Sequence, residues 1–273
     1  GCHVQGGVQM LGKLIKYDLK ASMKVFLMFH LVFLLACGFG RVFFINQMDF
    51  INAPSKALFA PIVILICLVT ILIVAVNICS WLMITFRFYR NLFSGEGYLS
   101  WTLPVSGIRH LWAKIISGCI LMWTDTVIIA LGMFLLLSGR NVTEAYSLIA
   151  ADATESLGMP ISTFFLYAFL FCLISCITSV ISIYFCIAVG QLFSNHRVLC
   201  AVAAYFILSF VLQIGVFLLM LLSGSFDYYM RFSGNFAEQM AHIMIPTFLF
   251  SAIVTLGEYI ATHYIIKKKI NLI

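Results

Sequence analysis

The chain has 273 residues, of which 63% are hydrophobic and 10% charged, and a mean hydropathy of +1.09. This composition excludes a water-soluble globule and predicts an all-α polytopic membrane protein. The net charge of +6 comes from 16 Lys and Arg against 10 Asp and Glu; the basic residues gather at the ends of apolar runs and form no extended face, which argues against a nucleic-acid partner.

In chain order, residues 1 to 9, GCHVQGGVQ, have neither a basic n-region nor an apolar h-region and so do not form a signal peptide. Their glycines predict a disordered leader or cloning remnant, with Met10 the natural beginning. Residues 10 to 24, MLGKLIKYDLKASMK, place Leu11, Leu14, Ile15, Leu19 and Met23 near one helical face and Lys13, Lys16, Lys20 and Lys24 mostly on the other. That pattern predicts an amphipathic helix lying along the inner leaflet, the alternative being a cytoplasmic extension of the first span.

Six runs then meet the requirement of roughly 20 mostly apolar residues for crossing about 30 Å of hydrocarbon. They fall at about 25 to 45, 58 to 86, 111 to 137, 161 to 190, 198 to 222 and 245 to 266. Residues 10 to 273 therefore read as a single six-span domain. The longest connections, 87 to 110, 139 to 160 and 223 to 244, are too short for an independent core, so a nucleotide-hydrolysing domain is not expected on this polypeptide.

Orientation follows from the retention of Lys and Arg on the cytoplasmic side of a membrane. With the N terminus inside, that side holds Lys13, Lys16, Lys20, Lys24, Arg87, Arg90, Arg109, Lys114, Arg197, Lys267, Lys268 and Lys269, and the outer side keeps Arg41, Lys56, Arg140 and Arg231. Of the 16 basic residues, 12 are thus inside, which predicts cytoplasmic termini.

The hydrophilic segment 87 to 110 is the most specific stretch of the chain. Arg87 and Arg90 close the second span, Gly95, Glu96 and Gly97 make a turn, and residues 98 to 103 can form a short helix before Pro104 ends it. A second helix starts near Ser106. Tyr98, Trp101 and Leu103 give this segment large apolar groups, which predicts packing on another protein.

The outer connection 223 to 244 mixes Phe226, Tyr228, Tyr229, Phe232 and Phe236 with Asp227, Arg231 and Glu238. It reads either as short interfacial helices capping an exit path or as an ordinary aromatic belt.

Strongly polar groups inside spans are the default functional candidates, because burying them in hydrocarbon is costly. Four stand out: His30, Asp125, Gln213 and Glu258. Counted at 1.5 Å per residue from the inner span ends, His30 and Glu258 lie at roughly 10 Å, and Asp125 and Gln213 at roughly 20 Å. Two depth-matched pairs are expected, serving as interhelical hydrogen bonds or lining a wet cavity, with the first favoured. The difference in depth separates Asp125 from Glu258 and speaks against shared acid and base work.

Eight cysteines, Cys37, Cys67, Cys79, Cys119, Cys172, Cys176, Cys186 and Cys200, lie within spans, where free Cys acts as a small hydrophobe. Cys172 and Cys176 share a helical face without a nearby His or carboxylate at ligand spacing, so packing is expected in preference to metal binding. There is no phosphate-binding glycine loop, HExxH helix or nucleophile elbow, so no catalytic residue, cofactor or metal is expected on this chain.

Glu96 and Gly97, then Leu99, Leu103 and Pro104, then Lys114 at the foot of the third span resemble the cytoplasmic pattern of permease subunits of ATP-binding-cassette (ABC) transporters of the type-two export class. The likeness is closest to the small six-span permeases of Gram-positive bacteria, and residues 11 to 20, LGKLIKYDLK, look like the amphipathic connecting helix of those permeases. The short connection between the fifth and sixth spans departs from the pattern, and any gating helices there must be small.

The resemblance implies a bacterial cell-membrane protein that pairs with a second permease, identical or related, and with two cytoplasmic ATPase subunits that bind the ATP and Mg. The segment would be the coupling helix, with Phe93, Glu96, Tyr98, Leu99, Trp101 and Leu103 meeting the ATPase and Arg87 and Arg90 at the rim. The cargo would be amphipathic or hydrophobic, such as an antimicrobial peptide, a drug or a lipid-like molecule. The alternatives are a membrane scaffold or sensor that uses the same segment to hold a cytoplasmic partner, and an intramembrane enzyme.

Overall fold

A computed structural model of the chain describes residues 2–51, 55–93, 107–193, 195–230 and 235–268, and the side chains of all of these except residues 2–10, 55–58 and 227–229. Every regular element among the described residues is helical: α1 Cys2–Phe43, α2 Ser55–Phe93, α3 Gly107–Leu137, α4 Arg140–Leu157, α5 Ile161–Gly190, α6 Arg197–Leu222, α7 Ser225–Met230 and α8 Phe236–Lys268. A 3-10 turn, Ile45–Gln47, follows α1. Six of the helices are long and apolar enough to cross a membrane, and away from their ends the residues they turn outward are largely apolar. Leu31, Leu35, Ile66, Ile71, Phe206 and Phe210 are all more than half exposed. A surface of that kind is stable against lipid and not against water, and the chain is a polytopic membrane protein.

The span positions follow the hydrophobic runs, while several ends differ. The segment expected as a disordered leader is helical from Cys2, and residues 10 to 24 form the first part of one continuous α1 instead of a separate interfacial helix. No proline interrupts the chain between Met10 and Phe43. Adding residues to an existing helix gains one backbone hydrogen bond each without a new nucleation cost, which explains the continuation in both directions. Likewise α2 runs seven residues beyond the expected end at 86, carrying Arg87 and Arg90 within the helix.

The sixth spanning helix begins at Phe236, not 245, with Pro246 inside it. Its start is set by Asn235, whose Oδ1 accepts the Glu238 amide at 3.0 Å while its carbonyl accepts the Gln239 amide at 3.2 Å. This is a side-chain N-cap. Asn235 also packs against Gly158, the residue that ends α4 with φ 71 and donates its amide to the carbonyls of Thr154 and Glu155. Only glycine adopts that backbone without strain, and a Cβ there would run into Asn235. One contact thus joins the end of α4 to the start of α8.

The interior divides into two apolar clusters. One contains Phe26, Ile84, Phe88, Leu92, Leu111 and Tyr184, the other Phe33, Cys37, Leu65, Val69, Val76 and Leu136. α1 packs mainly on α3, and α5 forms a second centre that meets α3, α6 and α8. Gly132 allows the first of these packings, because a Cβ there would collide with the Phe33 ring and come within 3.3 Å of Cys37 Sγ. Small residues at such crossings let helix backbones approach where no water drives association.

Candidate functional site

The polar contacts between α1 and α3 have a nearly constant sequence offset. Asp18 meets Lys114, His30 meets Asp125, and Arg41 meets the Leu135 carbonyl and Ser138, separations of 96, 95, 94 and 97 residues. Beyond the helix end, Asn141 donates to the carbonyls of Ile45 and Met48. An offset that stays between 94 and 97 means that the two helices run parallel and nearly in register, so the polar residues come in levels along one seam. The level with Asp18 is called here the basic end.

At the basic end the Asp18 carboxylate gathers donors from two other helices. Its Oδ1 accepts from Lys114 Nζ at 2.6 Å, from Arg87 Nη2 at 2.8 Å and Nε at 3.2 Å, and from Asn91 Nδ2 at 3.4 Å. Its Oδ2 accepts from Ser117 Oγ at 2.6 Å. The Asp18 side chain is 11% exposed and that of Lys114 12%. A pair so far withdrawn from water is costly to break, because the remaining charge is left without a partner. Tyr184 of α5 adds a fourth helix, donating its hydroxyl to the Lys114 carbonyl at 3.1 Å while its ring stacks on Phe88 at 3.8 Å.

Midway along the seam, His30 Nε2 lies 2.7 Å from Asp125 Oδ1, and Ser80 of α2 donates to the same oxygen at 2.9 Å. His30 Nδ1 lies 2.7 Å from the Phe26 carbonyl. A carbonyl only accepts, so Nδ1 carries a proton, and Nε2 either donates to an ionised Asp125 or accepts from a protonated one. In both arrangements the pair is neutral overall, which suits its burial at the boundary between the two apolar clusters.

Ser, His and Asp are the residue types of a nucleophilic triad, but the connectivity differs. In a triad the imidazole bridges serine and carboxylate. Here the carboxylate bridges serine and imidazole, and both ring nitrogens are occupied, so His30 has no nitrogen free to take the Ser80 proton. The arrangement fastens α1, α2 and α3 together and does not activate a nucleophile. Among the described residues no group of three or more His, Cys, Asp or Glu is placed to hold a metal ion.

Glu258 of α8 stands apart from this seam. It is 5% exposed, accepts from Ser182 Oγ of α5 at 2.6 Å through Oε2, and has a buried Oε1 without a hydrogen-bond partner. It lines a cavity of about 190 Å³ between α2, α5, α6 and α8.

The expected depth pairs are corrected by these contacts. His30 is paired with Asp125, not with Glu258, and Gln213 is exposed on α6, not matched with Asp125. The error lies in the origin of the count. α1 does not begin its climb at 25, and measured from the shared Asp18 and Lys114 level the two residues stand twelve and eleven positions along their helices. At 1.5 Å per residue that is about 18 and about 16 Å, the same depth within one side chain.

Of the residues expected to meet a cytoplasmic partner, Glu96, Tyr98, Leu99, Trp101 and Leu103 lie outside the described residues. Phe93 is buried in the basic-end cluster, its ring 5.6 Å from that of Phe88, which withdraws it from a contact surface. Arg87, expected at the rim, turns inward to Asp18. Cys176 packs beside Thr126 at 3.4 Å, while Cys172 is exposed.

Asp18, Ser80, Ser182 and Tyr184 were missed. Asp18 carried a readable signal: it is a lone acid among four lysines, and Lys114 and Arg87 are basic residues at the feet of the neighbouring spans. No family model matches the chain, and comparison with curated proteins and with solved structures gives no match either.

Proposed function

We propose that this chain is the permease subunit of an ABC exporter in a bacterial cell membrane, with both termini and the basic end on the cytoplasmic side. It works with a second permease and with ATPase subunits that bind ATP and Mg, and it carries an amphipathic or hydrophobic cargo. The observation that carries the reading is the position of the Asp18 cluster at both feet of segment 94 to 106. Arg87 lies six residues before the end of α2 and Lys114 seven residues after the start of α3, and both are bound to Asp18 of α1.

A load applied to that segment would reach three helices together, as coupling by rigid-body motion requires. The excess of Lys and Arg near the same end supports its cytoplasmic placement. Segment 94 to 106 contains Glu96, Gly97, Leu103 and Pro104 of the pattern that suggested a coupling helix.

The test replaces Glu96 and residues 98 to 103 by a Gly/Ser segment and purifies the chain with whatever ATPase accompanies the wild type. The replacement is expected to insert normally and to lose the ATPase. Retention of an ATPase at wild-type stoichiometry would overturn the coupling assignment, and a wild-type chain that never co-purifies with an ATPase would overturn the permease reading.

A further inference from the structure

The cavity beside Glu258 combines features that neither packing nor lipid contact requires. Its walls carry the hydroxyls of Ser182, Ser209 and Ser251 and the rings of Trp81 and Tyr205, which meet edge to face at 4.9 Å, and no Lys, Arg or His lines it. Its volume of about 190 Å³ is several times the roughly 30 Å³ that one water occupies in the liquid. A carboxylate oxygen buried without a donor is an uncommon and costly feature, and a native structure that retains one offers a site for something that supplies the missing donor.

The geometry points to a binding site for an ammonium group carried on a small apolar body, with Glu258 as its counter-ion. An ammonium brings several N–H donors, one for Glu258 Oε1 and others for the serine hydroxyls, and the electron-rich rings of Trp81 and Tyr205 line the same cavity and favour a cation. Leu208, Leu212 and Val254 complete the wall and suit the apolar body. A proton alone would neutralise Glu258 but would leave the hydroxyl-lined volume unused. A bare metal cation would need an oxygen shell at about 2.0 to 2.6 Å on all sides, and the wall formed by Trp81, Leu208, Leu212 and Val254 offers no oxygen to complete it.

Within the permease reading, this names the chemical class of one cargo group, a cationic amphiphile. The binding itself needs no ATPase, so it stands or falls separately from the coupling assignment.

The experiment is equilibrium dialysis of radiolabelled phenethylammonium against the full chain in lipid nanodiscs, with empty nanodiscs as the blank. Saturable binding of one ligand per chain is expected, with 2-phenylethanol and sodium ions failing to compete at equal concentration. Glu258→Gln should weaken binding at least tenfold, and Ser251→Leu, which fills the cavity from α8 and leaves the carboxylate in place, should abolish it. Wild-type affinity in either folded variant, equal competition by the alcohol or by sodium, or no saturable binding to the wild type would each overturn the assignment. Should Glu258→Gln fail to accumulate as a folded chain, Ser251→Leu decides.

Discussion

The His30 and Asp125 pair can be weighed by a double-mutant cycle with Leu at each position. Asp125→Leu leaves two polar atoms, His30 Nε2 and Ser80 Oγ, without their shared partner at an apolar boundary. Ser80 has an escape, since hydroxyls elsewhere in this bundle donate to the carbonyl one turn back, as Thr85 does to Trp81 and Thr126 to Met122. His30 has none, because its Nδ1 is already bound to Phe26.

One stranded buried polar atom costs about 1 to 3 kcal/mol, and Leu matches Asp in shape and leaves no cavity, so a loss of about 1 to 3 kcal/mol is expected. His30→Leu should cost a similar amount by leaving the carboxylate with Ser80 alone. The double variant removes both polar groups and strands neither, so it should lose no more than either single change, a coupling of about 2 kcal/mol. Interhelical hydrogen bonds in membrane proteins average nearer 0.6 kcal/mol, so a value of this size depends on the near-complete burial of both side chains, 3% and 2% exposed. Reversible unfolding in mixed detergent and dodecyl sulfate, followed by tryptophan fluorescence, gives the four free energies. Additivity to within about 0.5 kcal/mol would refute the claim that the pair acts as one buried unit.

Asp18→Asn should lower stability by about 3 kcal/mol in the same assay by leaving Lys114 and Arg87 without their shared counter-ion, and Lys114→Met in that background should recover part of the loss. No recovery would mean that the cluster is not electrostatically coupled. Gly132→Val is expected to push α1 from α3, seen as a loss of the crosslink between cysteines introduced at positions 38 and 135, where Gly38 packs against Leu135; an unchanged crosslinking rate would count against the close crossing. Gly158→Val should destabilise by at least about 1 kcal/mol through its positive φ and the collision with Asn235, whereas Gly224→Ala, with open space around it, should cost only the backbone term. Equal losses at the two glycines would show that Asn235 does not constrain Gly158.

The six spans were legible because each crossing leaves a long apolar run, and α5 was read with both ends in place, since Pro160 precedes it and the Gly190 turn follows. Helix ends facing water were harder. Nothing in residues 10 to 24 tells a helix that lies on a membrane from one that continues through it, because the amphipathic pattern is the same in both. α4 was read only as a connection: it has too little hydrophobicity to span and buries no residue, so its Arg140 and Glu144 pair and the Gly158 stop were its only marks.

The four intramembrane polar residues were found by composition, and His30, Asp125 and Glu258 all turned out to be buried. Their partners were not legible. Ser80 and Ser182 are too mildly polar to stand out in a span, and which helix faces which depends on α1 and α3 running parallel as non-consecutive neighbours. Glu258's empty side is a property of four converging helices and has no counterpart in any one of them.

The parallel pairing of α1 with α3 also sets an order on assembly. Asp18, His30 and Arg41 find their partners about 95 residues further along the chain. At a synthesis rate of about 5 to 20 residues per second, α1 must wait roughly 5 to 20 s before its polar stripe can be answered. α2 arrives in the interval with Arg87 for Asp18, whereas the side-chain partner of His30, Asp125, comes only with α3. During that interval His30 and Arg41 lie in a helix whose α3 partners in the finished bundle do not yet exist. A circular permutation that brings α3 closer to α1 in synthesis would shorten that wait while keeping the same contacts in the finished bundle.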